Sequence, residues 1–461
     1  MAVALKLFLF DRNQESLKSN LSTLGYDLAD LVNTYGLPGF VLPSDQTNNP
    51  WRPFDRNGAV MPDSPGTGIG FGIPLLLPDE GTARGLLKDF RDKAVAAGDP
   101  EAARVLGIEL EPTTMNLAPP SQHWCAGHGI GMTFGTRRAV RRLIQANALV
   151  GHGLNGKGTK VFVVDRGFSR DYVHSLGGTF GGGLGVDKDG ITALPGSGTE
   201  PYLPLPLRHG SMLLRTMTDL APNAEFFDLP LLPTRITDVD YFAMRALFAY
   251  LAMEWFFLSE NENWVILNAW GIVDRFAERI RGEYTNNPDH WLNVLVASLG
   301  RRHDIVFAAG NSGQFCADPR APGYDRGPGH SIFGANGLND VTSVAAVRCD
   351  GGWIGASSQG PGPSNFNPDG GLVDKPDLSA PSWFVEDGDA TLRSGGTSGA
   401  SAVVAGAIAA LRSGWSNTAL SPTQMRSALR AGARKVSGPG WNRRTGAGLL
   451  RLGDTIAELP G

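Results

Sequence analysis

Ser394 to Leu411 reads SGGTSGASAVVAGAIAAL. A glycine-rich turn ends in Gly396-Thr397-Ser398, and apolar residues then recur at Ala400, Val403, Val404, Ala407, Ile408 and Leu411. That spacing is one buried face of a helix. It predicts Ser398 at the point where a tight turn becomes the first turn of a core helix. A hydroxyl there is fixed in space, and the backbone N–H groups around it have no intrahelical partner. Nucleophilic serine chemistry needs both a positioned oxygen and donors facing the charge that develops. Taken alone, Gly-Thr-Ser before a helix is also an ordinary N-cap.

Two further segments bear on the choice. Thr159 to Gly167 is TKVFVVDRG. Lys160 to Val164 has the β-branched and aromatic content of a buried strand. Asp165 falls at its carboxyl end, where open α/β sheets place their ligands; its structural alternative is a turn aspartate. Leu207 to Pro230 is LRHGSMLLRTMTDLAPNAEFFDLP. His209-Gly210 opens a helix that ends at Ala221-Pro222-Asn223, and Ala224 to Leu229 reads as the next strand. A lone histidine at a helix start is ordinarily a cap or a surface residue; here it lies between a strand-end aspartate and a helix-start serine.

The order Asp165, His209, Ser398 is that of subtilisin, and not that of chymotrypsin or the α/β-hydrolases. From about Arg137 onward the chain resembles the subtilisin-like serine proteases, the subtilase family. GTSGASAVVAG resembles the serine block, VVDRG the aspartate block and HGSMLLRTMTDLAPNAEFFDL the histidine block. IVFAAGNSG, Ile305 to Gly313, resembles the oxyanion block. VTSVAAV, SSQGPGPS and KPDLSAPS resemble the strand and loops that lead into the serine helix. The resemblance implies an α/β fold: a doubly wound, mostly parallel sheet with helices on both faces. It implies that Ser398 attacks the scissile carbonyl, that His209 takes and returns a proton, and that Asp165 orients the imidazole. It implies an oxyanion hole from the Asn311 side chain and the Ser398 N–H. Asn268-Ala269-Trp270-Gly271 resembles the edge that pairs with substrate, and Ala308-Ala309-Gly310 the opposite pocket wall. Small residues there imply room for a bulky P1 side chain, with Trp270 narrowing a neighbouring subsite. The chain departs from the family pattern at Arg166, at Ser211-Met212, at Gly399, where methionine is usual, and at Ala402, where proline is usual.

Composition is consistent with this. The chain has 461 residues, 42% hydrophobic, with 61 Gly and 31 Pro, as expected of a large, loop-rich globular enzyme. A net charge of −4 and a pI near 6.1 make no case for nucleic-acid partners. Three cysteines, Cys125, Cys316 and Cys349, argue against a secreted disulfide framework. Met1 to Phe10 is apolar but is followed at once by Asp11 and Arg12; it reads as a first strand and not as a secretory signal, so a cytoplasmic location is expected. Tyr241 to Leu258 is the longest apolar stretch; Arg245 and Glu254 interrupt it, and a core helix is expected rather than a membrane span.

Residues 1–115 differ in character and read as an N-terminal extension of mixed structure, a pro-region or a structural wrap; residues 116–461 read as the peptidase domain. Gln14 to Leu24 and Glu80 to Ala97 read as amphipathic helices, Leu37 to Pro78 as an extended segment and Glu109 to Ser121 as a linker. The expected partners are peptide or protein substrates. No metal site is assigned: His123, Cys125 and His128 lack zinc-module spacing, and Asp187-Lys188-Asp189 is too short for a calcium loop. Structural calcium occurs in many family members, but no motif for it is present here, and no cofactor is expected. The competing readings are a catalytically weak or inactive peptide-binding module on the same fold, and a sedolisin-type protease with glutamate as base, against which His209-Gly210 argues.

Overall fold

The structure is a computed structural model. It describes residues 133–185, 205–232 and 239–460, apart from 260, 273–274, 276–277, 279–281, 316, 319–320, 368, 437 and 439. Before residue 133 it describes short pieces: 5–11, 18–19, 21–22, 25–35, 54–55, 71–77, 82, 85–86, 89, 93, 106–108 and 114–116. Cys125, Cys316, His123, His128 and Asp187 to Asp189 lie outside these, as do most of the expected N-terminal helices and linker.

Among the described residues, five strands precede the main body: β1 (Leu5–Asp11), β2 (Phe54–Asp55), β3 (Phe71–Leu77), β4 (Leu106–Ile108) and β5 (Thr114–Asn116). β1 is the strand expected near the N-terminus. It pairs antiparallel with β3 and β4 in a separate three-stranded sheet. A helix not expected from the sequence runs from Leu28 to Tyr35.

The main strands follow: β6 (Thr159–Asp165), β7 (Thr179–Gly183), β8 (Glu225–Pro230), β9 (Asn263–Asn268), β10 (Trp270–Ile272), β11 (Asp304–Ala308), β12 (Thr342–Val347) and β13 (Leu378–Pro381). A hairpin of β14 (Phe384–Glu386) and β15 (Asp389–Ser394) leads into the serine helix. The large sheet has the order β13-β12-β11-β9-β6-β8-β7-β2. Seven of its strands are parallel, and only the two-residue β2 on the edge is antiparallel.

Alternate side chains of these strands enter two different cores, as a period of two requires when both faces are covered. Val161, Val163, Val265, Leu267, Val306 and Val344 pack with the helices His209–Thr218 and Gly396–Leu411. Phe162, Val164, Ile266, Ile305 and Phe307 pack with the helices Val239–Phe256 and Trp291–Arg302. The apolar stretch from Tyr241 is therefore a core helix. No helix among the described residues is long and apolar enough to cross a membrane.

Two short helices precede β6, Arg137–Leu143 and Asn147–Gly151. Gln145 between them has φ 59°, a conformation that cannot continue a helix. His303 is fully buried between its helix and β11. Burial, reinforced by the charges of Arg302 and Arg412, pushes its pKa down to about 3, so the ring is neutral. His330 is exposed in a loop.

One pair of clamps sets the helix of Gly396–Leu411 against β11. At the far end Arg412 Nη2 donates to Asp304 Oδ1 at 2.9 Å, with both side chains buried. At the near end Gly310 N–H donates to Thr397 Oγ1 at 3.1 Å, and Thr397 N–H to Asn311 Oδ1 at 3.0 Å. The helix start is thereby held at the end of β11.

Candidate active site

Asp165 ends β6, fully buried, and its carbonyl accepts the Leu232 N–H at 3.0 Å. His209 is the first residue of its helix. Its Nδ1 lies 2.8 Å from Asp165 Oδ1 and 2.7 Å from Oδ2. A carboxylate can only accept, so Nδ1 carries the hydrogen, and Nε2 is the basic nitrogen of the neutral ring. Gly210 follows because the chain there runs against the Asp165 loop: a Cβ on it would come 2.2 Å from the Gly167 carbonyl oxygen. Any larger residue would push His209 away from Asp165.

Ser398 is the third residue of its helix and fully buried. Its Oγ lies 3.4 Å from the Ala269 carbonyl oxygen, a long contact. Asn311 is buried, and its Oδ1 accepts from both the N–H and the hydroxyl of Thr397 (3.0 and 3.1 Å). Because Oδ1 is the end directed at Thr397, the Nδ2 end of the amide is turned away from it. Sequence reasoning missed Thr397, although it stands next to the serine in the quoted motif; its hydroxyl orients Asn311. The SSQG loop supports the same turn: Ser358 N–H donates to the Gly310 carbonyl at 2.8 Å, and Ser358 Oγ accepts the Ser312 N–H at 3.1 Å.

Two departures from the family pattern have local structural reasons. Met212 sulfur accepts the Gly395 N–H at 3.3 Å, so the histidine helix touches the turn before Ser398. Gly399 faces Ser382, whose Oγ donates to the Gly396 carbonyl at 2.6 Å. A Cβ at 399 would lie 2.9 Å from that Oγ. The hydroxyl thus braces the turn from space that a side chain at 399 would fill. Gly399→Ala is expected to lower kcat about tenfold despite the roughly 1 kcal/mol it adds in helix propensity. Ser382→Ala in the same background should restore part of the loss, because the colliding oxygen is gone. Strictly additive effects of the two changes on kcat would show that they do not interact.

Further from the centre, Glu386 of β14 accepts from Arg137 (Nη2 to Oε1, 2.6 Å) and from Arg215 of the histidine helix (Nε to Oε1, 3.3 Å). This network ties the hairpin before the serine turn to the histidine helix. The Cys349 thiol is half-buried, and desolvation pushes its pKa up to about 12, which rules it out as a thiolate nucleophile.

The residues read as pocket walls follow the pair Asn268–Phe307 of β9 and β11. Ala269, Gly271, Ala308, Ala309 and Gly310 are all buried. Trp270 does not narrow a subsite. Its ring is fully buried on the opposite face of the sheet, against Phe242 and Phe307, with Nε1 donating to Asn268 Oδ1 at 3.1 Å. Successive side chains of a strand point to opposite faces, so Trp270 enters the core while Gly271 faces the other way. β10 does not meet solvent as a bare edge. β5 pairs with it antiparallel, Asn116 opposite Trp270, Met115 opposite Gly271 and Thr114 opposite Ile272. No group of three or more metal-ligating side chains occurs among the described residues.

Residues 244–448 match the family model of the Subtilase family, Peptidase_S8. This stretch is similar to the subtilases. It includes Asn311 and Ser398 and begins after Asp165 and His209, so the place of those two beside the segment rests on the geometry above. The fold is subtilisin-like as well. Fervidolysin from Fervidobacterium pennivorans, a keratinolytic enzyme related to subtilisin, is similar with a TM-score of 0.53 at 15% identity. The match covers 99% of this chain and 61% of the fervidolysin chain. MycP1 from the ESX-1 type VII secretion system matches at 18% identity over 76% of this chain and 95% of its own, with a TM-score of 0.44. A serine protease of Aeromonas sobria matches at 18% identity over 67% and 62%, also with a TM-score of 0.44. No curated protein matches the chain.

Proposed function

We propose that the chain is a serine endopeptidase. The observation that carries this is the His209–Asp165 contact, which fixes the imidazole tautomer at the start of a helix packed on the serine helix. Ser398 Oγ attacks the peptide carbonyl while His209 Nε2 takes its proton. The oxyanion is held by the Asn311 amide and the Ser398 N–H. His209 then protonates the leaving amine, and water repeats the sequence on the acyl-enzyme. Asp165 stabilises the imidazolium without being protonated itself. A fluorophosphonate should label the full chain at Ser398 with one equivalent, located by peptide mass mapping. A folded protein that takes no label would end this reading.

The substrate adds to β10 as an extended strand, with backbone bonds giving affinity and pockets giving selectivity. β5 already occupies that edge, so the N-terminal extension competes with substrate from within the chain. A split at residue 115 falls inside β5, which makes the strand part of the extension's hold on the body. Prolines at both Thr114 and Met115 remove an N–H from this ladder, since alternate residues of an antiparallel strand donate across to the partner. The double variant should raise kcat/KM for a short peptide severalfold; an unchanged value would mean that β5 does not compete.

A further inference from the structure

Between the two wall segments stands a side chain that no sequence motif pointed to. Asn336 belongs to a short 3-10 turn, Gly334–Gly337, and is 3% exposed. Its Nδ2 donates to the Trp270 carbonyl at 2.9 Å and to the Ala308 carbonyl at 2.8 Å. Two carbonyl acceptors require the NH2 end of the amide there, which settles its orientation. One nitrogen reaches a carbonyl on each wall, so the walls are separated by the thickness of that amide. On the Gly271 side, a Cβ at residue 271 would lie 2.9 Å from Nδ2 and 3.1 Å from Oδ1. The amide therefore fills the slot between Gly271 and Ala308, the space that the family resemblance assigns to a side chain bound beside Ser398. The turn that carries it cannot easily swing away. Gly334 N–H donates to the Thr285 carbonyl at 3.0 Å, and Ala335 N–H to the Tyr284 hydroxyl at 3.1 Å. Asn336 Oδ1 is buried and accepts no hydrogen bond among the described residues.

We infer that Asn336 sets the P1 preference: its amide ends the slot early, so a small side chain, alanine or serine, is taken in place of the bulky residue that the small wall residues alone suggest. This rests on the endopeptidase reading and names its substrate class. A slot filled by a hydrogen-bonded amide discriminates against long side chains.

The test uses quenched peptides that differ only at P1, with serine, alanine or phenylalanine, and kcat/KM for the full chain and for Asn336→Gly. The full chain should cleave the serine and alanine peptides within a few-fold of each other, and each at least about a hundredfold better than the phenylalanine peptide. Asn336→Gly should raise the phenylalanine-to-serine ratio about a hundredfold. A full chain that cleaves the phenylalanine peptide as well as the serine peptide overturns the inference, whether or not the variant folds. A ratio unmoved in a folded variant overturns it too. Fluorophosphonate labelling of the same samples separates the two levels: no adduct removes the endopeptidase reading and this inference with it, whereas an adduct with a phenylalanine preference removes this inference alone.

Discussion

Replacing Ser398 by alanine is expected to abolish peptide hydrolysis, lowering kcat on the order of 10⁶-fold, while the protein stays folded. The activity loss follows from the missing nucleophile: neither Asn311 nor His209 can form an acyl-enzyme. Retention of the fold follows from what the hydroxyl does at rest. Among the described residues its bond is the long one to the Ala269 carbonyl, 3.4 Å, so stability should change by no more than about 1 kcal/mol. The backbone of the helix start keeps its own anchors, with Thr397 bound to Asn311 and Gly310. Thermal unfolding by circular dichroism, together with hydrolysis and fluorophosphonate labelling, checks both halves. Residual cleavage within tenfold of the unaltered protein would place the nucleophile elsewhere.

Asn311→Leu is expected to lower kcat by about 10²–10³-fold with little change in KM, equivalent to about 3–4 kcal/mol in the barrier. The amide meets an oxyanion only once the carbonyl has become tetrahedral, so its loss should spare ground-state binding. Leucine keeps the volume but also frees Thr397, whose N–H and hydroxyl both use Asn311 Oδ1. Thr397→Val is the control for that second effect, and it should cost less, since Asn311 Nδ2 is retained. Steady-state kinetics on one peptide decide the matter. A rise in KM at constant kcat would make Asn311 a substrate-binding residue and not an oxyanion donor.

Much of the sheet was legible because its signals are local. A fully buried parallel strand is a short β-branched run, and the run at Lys160 became β6 with its ends shifted by a residue. Ser421-Pro422 is a helix-start pattern of the same local kind, and the structure has a capping box there from Ser421 to Gln424. The subtilisin-like fold was legible for the same reason, since its motifs are strand ends and helix starts. Gly210 shows where this runs out. His-Gly is visible in the chain, but the 2.2 Å approach to Gly167 that requires glycine belongs to the packing of two segments.

The sequence by itself determined which runs become strands and helices, because hydrophobic periodicity, turn residues and caps act within a few positions of one another. The tertiary structure alone decided what stands beside them. Trp270 went into the core because strand alternation and the aromatic neighbours Phe242 and Phe307 fixed its face. β5 took the edge of β10 through backbone groups, which every sequence carries alike. Asn336, in a stretch that reads as an ordinary Gly-Ala-Asn-Gly turn, came to bridge carbonyls 66 and 28 residues away. Contacts of that range depend on the geometry of the assembled sheet, and no local pattern encodes them.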